Sequence, residues 1–141
     1  MKTLNKNLIY LLAFTLFAVS CSKYEDGPVV SLIPKKDRIT NYWKVEKAYE
    51  DGNDVTSSYE QYELELRNDN SATLQARYSG NAGTIIFETD GTWEFQNGKS
   101  DLKLDYENDE ADETYIILRL TQEELWLLSK GDDVELRLEP K

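Results

Sequence analysis

The 141-residue sequence contains no histidine and only one cysteine, Cys21. The chain therefore cannot build a zinc site from Cys and His ligands. The Ser-His-Asp and Cys-His pairings that carry out nucleophilic attack are excluded for the same reason. Carboxylates remain as acid/base groups, but close pairs are expected by chance among 27 Asp and Glu residues. We expect neither an enzyme nor a metal or cofactor site.

Basic residues are also few, with 16 Lys and Arg against 27 Asp and Glu and a formal net charge of −11. Such a surface repels a phosphate backbone, so we expect no nucleic-acid partner. It also argues against docking on anionic lipid. Solubility is sufficient to explain the acidic balance.

Long hydrophobic runs are absent except for residues 8–19 (LIYLLAFTLFAV), which follow Lys2 and Lys6. This run is shorter than the roughly 20 residues that a helix needs to cross a bilayer. A charged start, an apolar middle and small residues at the end are typical of a secretory signal. We therefore predict a signal peptide over residues 1–20.

The end of this signal allows two interpretations. Ala18-Val19-Ser20 fits an ordinary cleavage site, which would leave Cys21 unmodified. With Cys21 included, the same residues resemble a lipobox, in which the cysteine thiol takes a diacylglyceryl group. A lone thiol in an exported protein needs an explanation, and lipidation supplies one. We favour a lipoprotein that is attached to the membrane through lipid on Cys21.

Residues 21–35 are predicted to be the lipidated cysteine and its tether, because Pro28 and Pro34 resist helix formation. Ser22 follows the cysteine where Asp would be the usual inner-membrane retention signal. The segment 22–26 (SKYED) resembles the surface-export signal of Bacteroidota lipoproteins, although a charged, solvated linker is the other interpretation. We expect an outer-membrane protein, on either its periplasmic or its surface face.

From Trp43 onward, apolar residues recur with a period of two. Each run has one apolar and one charged face, as in an antiparallel sheet with one solvated side. The pattern predicts an all-β domain over residues 36–141, after one short helical turn near 35–41. The runs are 43–45, 62–66, 74–76, 93–95, 102–106, 116–120 and 134–138.

Turn residues separate these runs, including Asp51-Gly52 and Asn97-Gly98. They predict an up-and-down antiparallel meander of eight to nine strands, with Asp90-Gly91 as either a turn or a bulge. Closure into a barrel would remove the two exposed edges. The charged faces must point outward, which excludes a membrane-spanning barrel.

Several segments resemble a known family. Residues 39–45 (ITNYWKV) look like the opening G-x-W strand of lipocalin-like domains, with Asn41 in place of Gly. Residues 91–95, 102–104 and 115–127 look like the body of the lipocalin-like domain lipoproteins of Bacteroidota. The resemblance implies a calycin-like barrel over residues 36–141. It implies little about function, because a fold does not determine a ligand.

Five aromatic residues are candidates for a ligand cavity: Trp43, Tyr62, Trp93, Phe95 and Tyr106. Eight strands enclose a space that side chains can fill or that can hold one small ligand. The second interpretation is that the same five side chains fill the barrel interior as part of its packed core. The resemblance further implies that Trp43 closes the barrel floor, beneath an arginine from a late strand. Arg137 and Arg119 are candidates for this cation–π contact, although simple alternation points Arg137 outward.

The acidic segment 105–113 (DYENDEADE) allows two interpretations, a Ca²⁺ site or a solvated hairpin tip. Its spacing does not match an EF-hand loop and it lacks the turn glycine, so we favour the hairpin tip.

Two functions remain open. One is a tethered binding module for a small apolar ligand, lipid-like or aromatic. The other is a protein-interaction subunit of a surface or periplasmic assembly with a solid barrel. A void of several hundred Å³ would favour the first, and an exposed apolar patch the second. The predicted interior face comprises Trp43, Val45, Leu64, Leu66, Leu74, Ala76, Trp93, Phe95, Leu102, Leu104, Ile116, Leu118, Leu120, Val134, Leu136 and Leu138.

Overall fold

The computed structural model describes residues 31–80 and 83–141. The predicted signal peptide, Cys21 and most of the tether lie outside the described residues. Across the described part of the chain, no helix combines the length and apolar character needed to cross a bilayer.

The described residues form one short helix followed by a nine-stranded antiparallel sheet. Helix α1 confirms the short turn predicted before the first strand. The elements are α1 (Lys35–Ile39), β1 (Asn41–Glu50), β2 (Asn53–Asp54), β3 (Tyr62–Leu66), β4 (Ser71–Gly80), β5 (Gly83–Gln96), β6 (Asp101–Tyr106), β7 (Glu113–Leu120), β8 (Leu125–Ser129) and β9 (Val134–Pro140).

The sheet closes into a barrel because β1 pairs with both β3 and β9. The remaining strands follow in chain order, each paired with the next. Strand β2 has two residues and pairs only with the end of β1, so eight strands form the wall and one is an appendage. Closure leaves no long unpaired edge on the wall. The predicted up-and-down barrel of eight to nine strands is confirmed.

The backbone of the turn between β1 and β2 explains why Asp51-Gly52 correctly predicted the end of a strand. Asp51 has φ 49° and Gly52 has φ 81°, both in the left-handed region. A two-residue hairpin turn of type I′ requires positive φ at both positions, which Asp tolerates and Gly adopts without strain.

The Asp90-Gly91 pair is neither a turn nor a bulge, and that prediction was wrong. Strand β5 runs without interruption from Gly83 to Gln96. Gly91 pairs with Ala72 on one side and with Tyr106 on the other. Glycine is present here because the neighbouring backbone of β6 comes too close for any side chain.

Two β-bulges change which residues face the interior. Register shifts occur between Val45 and Lys47 in β1 and between Ile117 and Arg119 in β7. A bulge sets two residues opposite one, so the alternation changes phase there. In β7 the buried residues are Tyr115, Ile117 and Leu120.

The predicted interior positions Ile116 and Leu118 were therefore wrong, and both side chains are only partly buried on the outer wall. Phe95 is also partly exposed but packs against the core. The other predicted interior residues are all buried.

Helix α1 covers the end of the barrel at which β1 begins, and we call this the closed end. Arg38 donates a hydrogen bond from Nη1 to the carbonyl oxygen of Leu120 at 2.7 Å. Lys36 donates from Nζ to Oδ1 of Asn70 at 2.7 Å. Ile39, the last residue of the helix, and Trp43 in β1 are fully buried.

Turns alternate between the two ends of an antiparallel meander. The β3–β4, β5–β6 and β7–β8 turns therefore lie at the closed end. The opposite end, which we call the open end, carries the β2–β3, β6–β7 and β8–β9 connections. The two ends differ in what covers them, since α1 spans only the closed end.

Asp101 is a buried carboxylate at the start of β6, with a side chain only 5% exposed. It accepts hydrogen bonds from Lys130 Nζ at 2.5 Å, from Ser100 Oγ at 3.2 Å and from the side-chain amide of Asn97. These partners, Lys130 first, hold the pKa of Asp101 below its ordinary value of 3.8. The ionised carboxylate is thus stabilised by folding.

We expect Asp101→Asn to lower the free energy of unfolding at pH 7 by about 1–3 kcal/mol, the cost of losing hydrogen bonds to a charged group. A lowered folded-state pKa contributes stability that is fully present above the unfolded pKa and is lost as pH falls through the folded pKa. The difference from wild type should therefore shrink progressively below pH 3.8. Urea unfolding across this range measures it.

The control is Asp105→Asn on the same strand, where the ion pair with Lys103 is exposed to solvent and is expected to contribute little to stability. A destabilisation by Asp101→Asn that stays constant as pH falls would contradict the assignment.

Candidate ligand-binding site

Three of the five candidate aromatic residues lie at the closed end. Trp43 donates from Nε1 to the carbonyl oxygen of Ile39 at 2.8 Å. Trp93 donates from Nε1 to the carbonyl oxygen of Arg67 at 2.9 Å. Phe95 meets the Trp93 ring edge-on, with 5.4 Å between ring centres. These rings form the floor of the barrel, and both indole N–H groups are already donated within the protein.

The other two candidates, Tyr62 and Tyr106, lie at the open end. Tyr62 is the first residue of β3 and Tyr106 is the last residue of β6. The structure therefore divides the five residues between opposite ends of the barrel rather than bringing them into one cavity. A ligand contact for any of them stays a prediction.

Two residues that the sequence reasoning missed complete an aromatic cluster at the open end. The Tyr115 hydroxyl lies 3.4 Å from the Tyr62 hydroxyl. The Tyr59 ring meets the Tyr62 ring edge-on, with 5.9 Å between centres. Tyr115 was missed because the β7 bulge reverses the expected alternation, and no local pattern in the sequence marks that bulge.

The hydroxyl of Tyr106 is buried and has no hydrogen-bond partner among the described residues. The residue as a whole is 3% exposed. Burial first, and then electrostatic interactions with Tyr62 and Asp112, raise the pKa of Tyr106. Burial is also the main cause that raises the pKa of Tyr115. Both phenols are therefore protonated at physiological pH and available as donors.

A cavity of about 140 Å³ lies at the open end beside this cluster. Engineered cavities of about 150 Å³ are large enough to bind benzene. The site therefore accommodates a ring-sized group rather than a long lipid chain. Its lining residues are Ser58, Tyr59, Gln61, Tyr62, Ala76 and Arg77.

Larger depressions of about 320–350 Å³ lie on the outer wall. Charged side chains line them, such as Glu63 with Lys141 and Lys103 with Asp105. These charges are already paired with each other, at 2.7 Å and 3.0 Å. The outer depressions therefore offer little apolar surface to a ligand.

The acidic segment 105–113 forms the connection between β6 and β7 at the open end. It contains a single 3₁₀ turn, Asp109–Ala111, capped by the Asn108 side chain. Asp112 Oδ1 accepts the backbone N–H of Tyr106 at 2.6 Å. Within residues 31–80 and 83–141, no three potential metal ligands converge.

Neither predicted arginine lies over Trp43. Arg137 lies 4.3 Å from the ring centre of Trp126, and Arg119 lies 5.4 Å from the same ring. Arg137 points outward because both of its neighbours in β9, Leu136 and Leu138, are buried. Arg119 lies at the β7 register shift, immediately before the buried Leu120. The outward direction of Arg137 was thus predicted correctly, and its contact with Trp43 was wrong.

A family model described as a lipocalin-like domain matches residues 39–127. The match begins at the last residue of α1 and ends within β8, so it covers more than half of the chain. Among curated proteins, no significant match is found.

Proposed function

The chain belongs to the lipocalin-like domain family, and on this basis we propose that it is a lipid-anchored binding module for a small, mostly apolar molecule. The observation that carries the proposal is the cavity at the open end, which is lined by two tyrosine rings and Ala76. Apolar burial contributes about 25 cal/mol per Å² of surface removed from water. Shape and burial would therefore supply most of the affinity.

The proposal assigns no catalytic residue and no cofactor. The cavity is lined by hydroxyl, amide, methyl and guanidinium groups. None of the six lining residues is a carboxylate. Binding without chemistry is the activity that this lining supports.

The anchoring part of the proposal rests on Cys21 and on where the chain enters the barrel. The described chain reaches α1 at the closed end. A tether that leads from Cys21 to α1 would place the closed end towards the membrane and the open end away from it. Ser22 favours the outer membrane, and residues 22–26 favour its surface face. A ligand could then reach the cavity without passing the bilayer.

The test combines native mass spectrometry of protein from its own host with calorimetric titration of ring-sized apolar compounds. Ala76 is 5% exposed and lines the cavity. We expect Ala76→Leu to fill the cavity and weaken binding at least about tenfold, the loss of roughly 1.4 kcal/mol. Thr92→Leu adds the same side chain at an exposed position on the outer wall and should bind as wild type does.

A second function is favoured by one observation. Ile116, Leu118, Leu128 and Trp126 are partly exposed on the outer wall of β7 and β8. Such an apolar surface suits a protein-interaction subunit of an envelope assembly. Absence of any bound species, together with no saturable binding of apolar compounds, would favour this second function over the first.

A further inference from the structure

The lining of the cavity at the open end changes in character from its inner part to its mouth. The inner part consists of Ala76, which is buried, and the partly buried rings of Tyr59 and Tyr62. Three exposed residues with hydrogen-bond donors complete the lining: Ser58, Gln61 and Arg77. Ligand sites commonly combine an apolar interior with a few placed polar groups. The mouth of this cavity therefore offers donors to the polar part of a ligand whose ring lies against the tyrosines.

Arg77 gives this lining a positive charge, although the chain as a whole is acidic. The cross-strand neighbours of Arg77 are neutral: its backbone N–H donates to the carbonyl oxygen of Gln61 at 3.2 Å, and Ile86 lies opposite it on β5. Glu63, two residues beyond Gln61 in the chain, already accepts a hydrogen bond from Lys141 Nζ at 2.7 Å. The positive charge of Arg77 is therefore not neutralised by a direct neighbour in the sheet.

Other arginines on the outside of the barrel differ from Arg77 in this respect. Three of them each form an ion pair with a glutamate at 2.6–2.8 Å: Arg67, Arg119 and Arg137. Within residues 31–80 and 83–141, the guanidinium of Arg77 forms no ion pair of this kind. An anionic group at the mouth of the cavity would therefore meet a cation that no carboxylate of the described chain occupies.

A carboxylate is the anion that fits this set of donors. The planar guanidinium of arginine can donate two parallel hydrogen bonds to the two oxygens of one carboxylate. The Ser58 hydroxyl and the Gln61 amide line the same cavity and can donate to the remaining lone pairs. A ligand with a carboxylate next to its ring would meet the donors and the tyrosine rings together.

We infer that the open end binds a ring-sized apolar group that carries a carboxylate, with the ring beside Tyr59 and Tyr62 and the carboxylate paired with Arg77. This inference rests on the proposed binding function and specifies its ligand class. The cavity of about 140 Å³ sets the size of the ligand or of its inserted end.

Three matched probes test the ligand class by NMR titration of the purified protein at neutral pH: benzoate, benzamide and benzylammonium. They share the ring and differ in carrying a negative charge, no charge and a positive charge. We expect benzoate to bind about 3- to 10-fold more tightly than benzamide, between the effect of an exposed ion pair and that of a hydrogen bond to a charged group. Benzylammonium should bind more weakly than either. Added salt should reduce the preference for benzoate, because it screens exposed charges.

The variant Arg77→Gln removes the positive charge and keeps a polar side chain at the mouth of the cavity. It should weaken benzoate binding by the same 3- to 10-fold and leave benzamide binding unchanged. Arg67→Gln is the control, because it makes the same change at an arginine that pairs with Glu65 and lines a different depression. This control should keep the full preference for benzoate.

Equal binding of benzoate and benzamide to wild type would overturn the inference while leaving the binding function intact. The inference would also be overturned if Arg77→Gln kept the preference for benzoate, or if Arg67→Gln lost it to the same extent. If none of the three probes bound, and toluene as an uncharged ring did not bind either, the proposed function itself would be overturned.

Discussion

Gly91→Ala is expected to destabilise the barrel by about 3 kcal/mol or more, the largest effect expected among the glycines whose surroundings the structure describes. A Cβ atom at residue 91 would lie 2.2 Å from the backbone oxygen of Asp105 and 2.6 Å from the Cα atom of Tyr106. Both atoms belong to the backbone of β6. The clash cannot be relieved by a side-chain rotation, so β5 and β6 would have to separate.

Thermal unfolding followed by circular dichroism measures this effect. In a domain of this size, 3 kcal/mol corresponds to a fall in melting temperature of roughly 12 °C or more. It is also a large share of the 5–15 kcal/mol that typically holds a domain folded.

Gly131→Ala is the matched control, since it adds the same methyl group at another glycine. There the nearest atom to a new Cβ would be Ser129 Oγ at 3.8 Å, an ordinary contact. The substitution should be neutral or slightly stabilising, because alanine restricts the unfolded chain. If Gly91→Ala and Gly131→Ala unfolded at the same temperature, the close approach of β5 and β6 would be refuted.

Cys21→Ala is expected to release the protein from the membrane. In the lipoproteins that the first 21 residues resemble, the cysteine carries three acyl chains. Each buried methylene contributes roughly 0.8 kcal/mol, so two or more chains hold a protein firmly whereas none leaves only weak surface attraction. The acidic chain offers little such attraction to an anionic bilayer.

Metabolic labelling with a radioactive fatty acid, followed by membrane fractionation, measures this second effect. Wild type and Ser22→Ala should both carry label and sediment with membranes, and Cys21→Ala should do neither. Label that persists in Cys21→Ala would show that the acyl chains are attached elsewhere or that the signal is processed differently.

Much of the barrel was predictable because strand alternation is a local property of the chain. Residues such as Leu64, Leu104 and Leu136 alternate with charged neighbours, and all are buried as expected. Turn residues such as Asp51-Gly52 carry their own conformational preference, so they mark a strand end without reference to the rest of the fold. The order and spacing of these strands and turns also carry the resemblance to lipocalin-like domains.

The candidate site was less predictable because its members come from distant parts of the chain. Tyr62 and Tyr106 were chosen as aromatic residues at strand ends, and both lie at the open end. Trp43, Trp93 and Phe95 were chosen as aromatic residues of the predicted interior face, and they lie at the closed end. Aromatic character alone does not indicate which end of a barrel a residue occupies, since that depends on strand direction and tilt together.

The sequence by itself determined the all-β class, the number of strands and most of the core, because each follows from residue alternation within one strand and from turn chemistry between two. Only the tertiary structure decided the role of Gly91, the phase of β7 and the burial of Tyr115. The requirement for glycine at residue 91 depends on how closely the backbone of β6 approaches β5. The positions of the two bulges depend on the hydrogen-bond register with neighbouring strands. These are pairings between residues far apart in the chain, so no local pattern contains them.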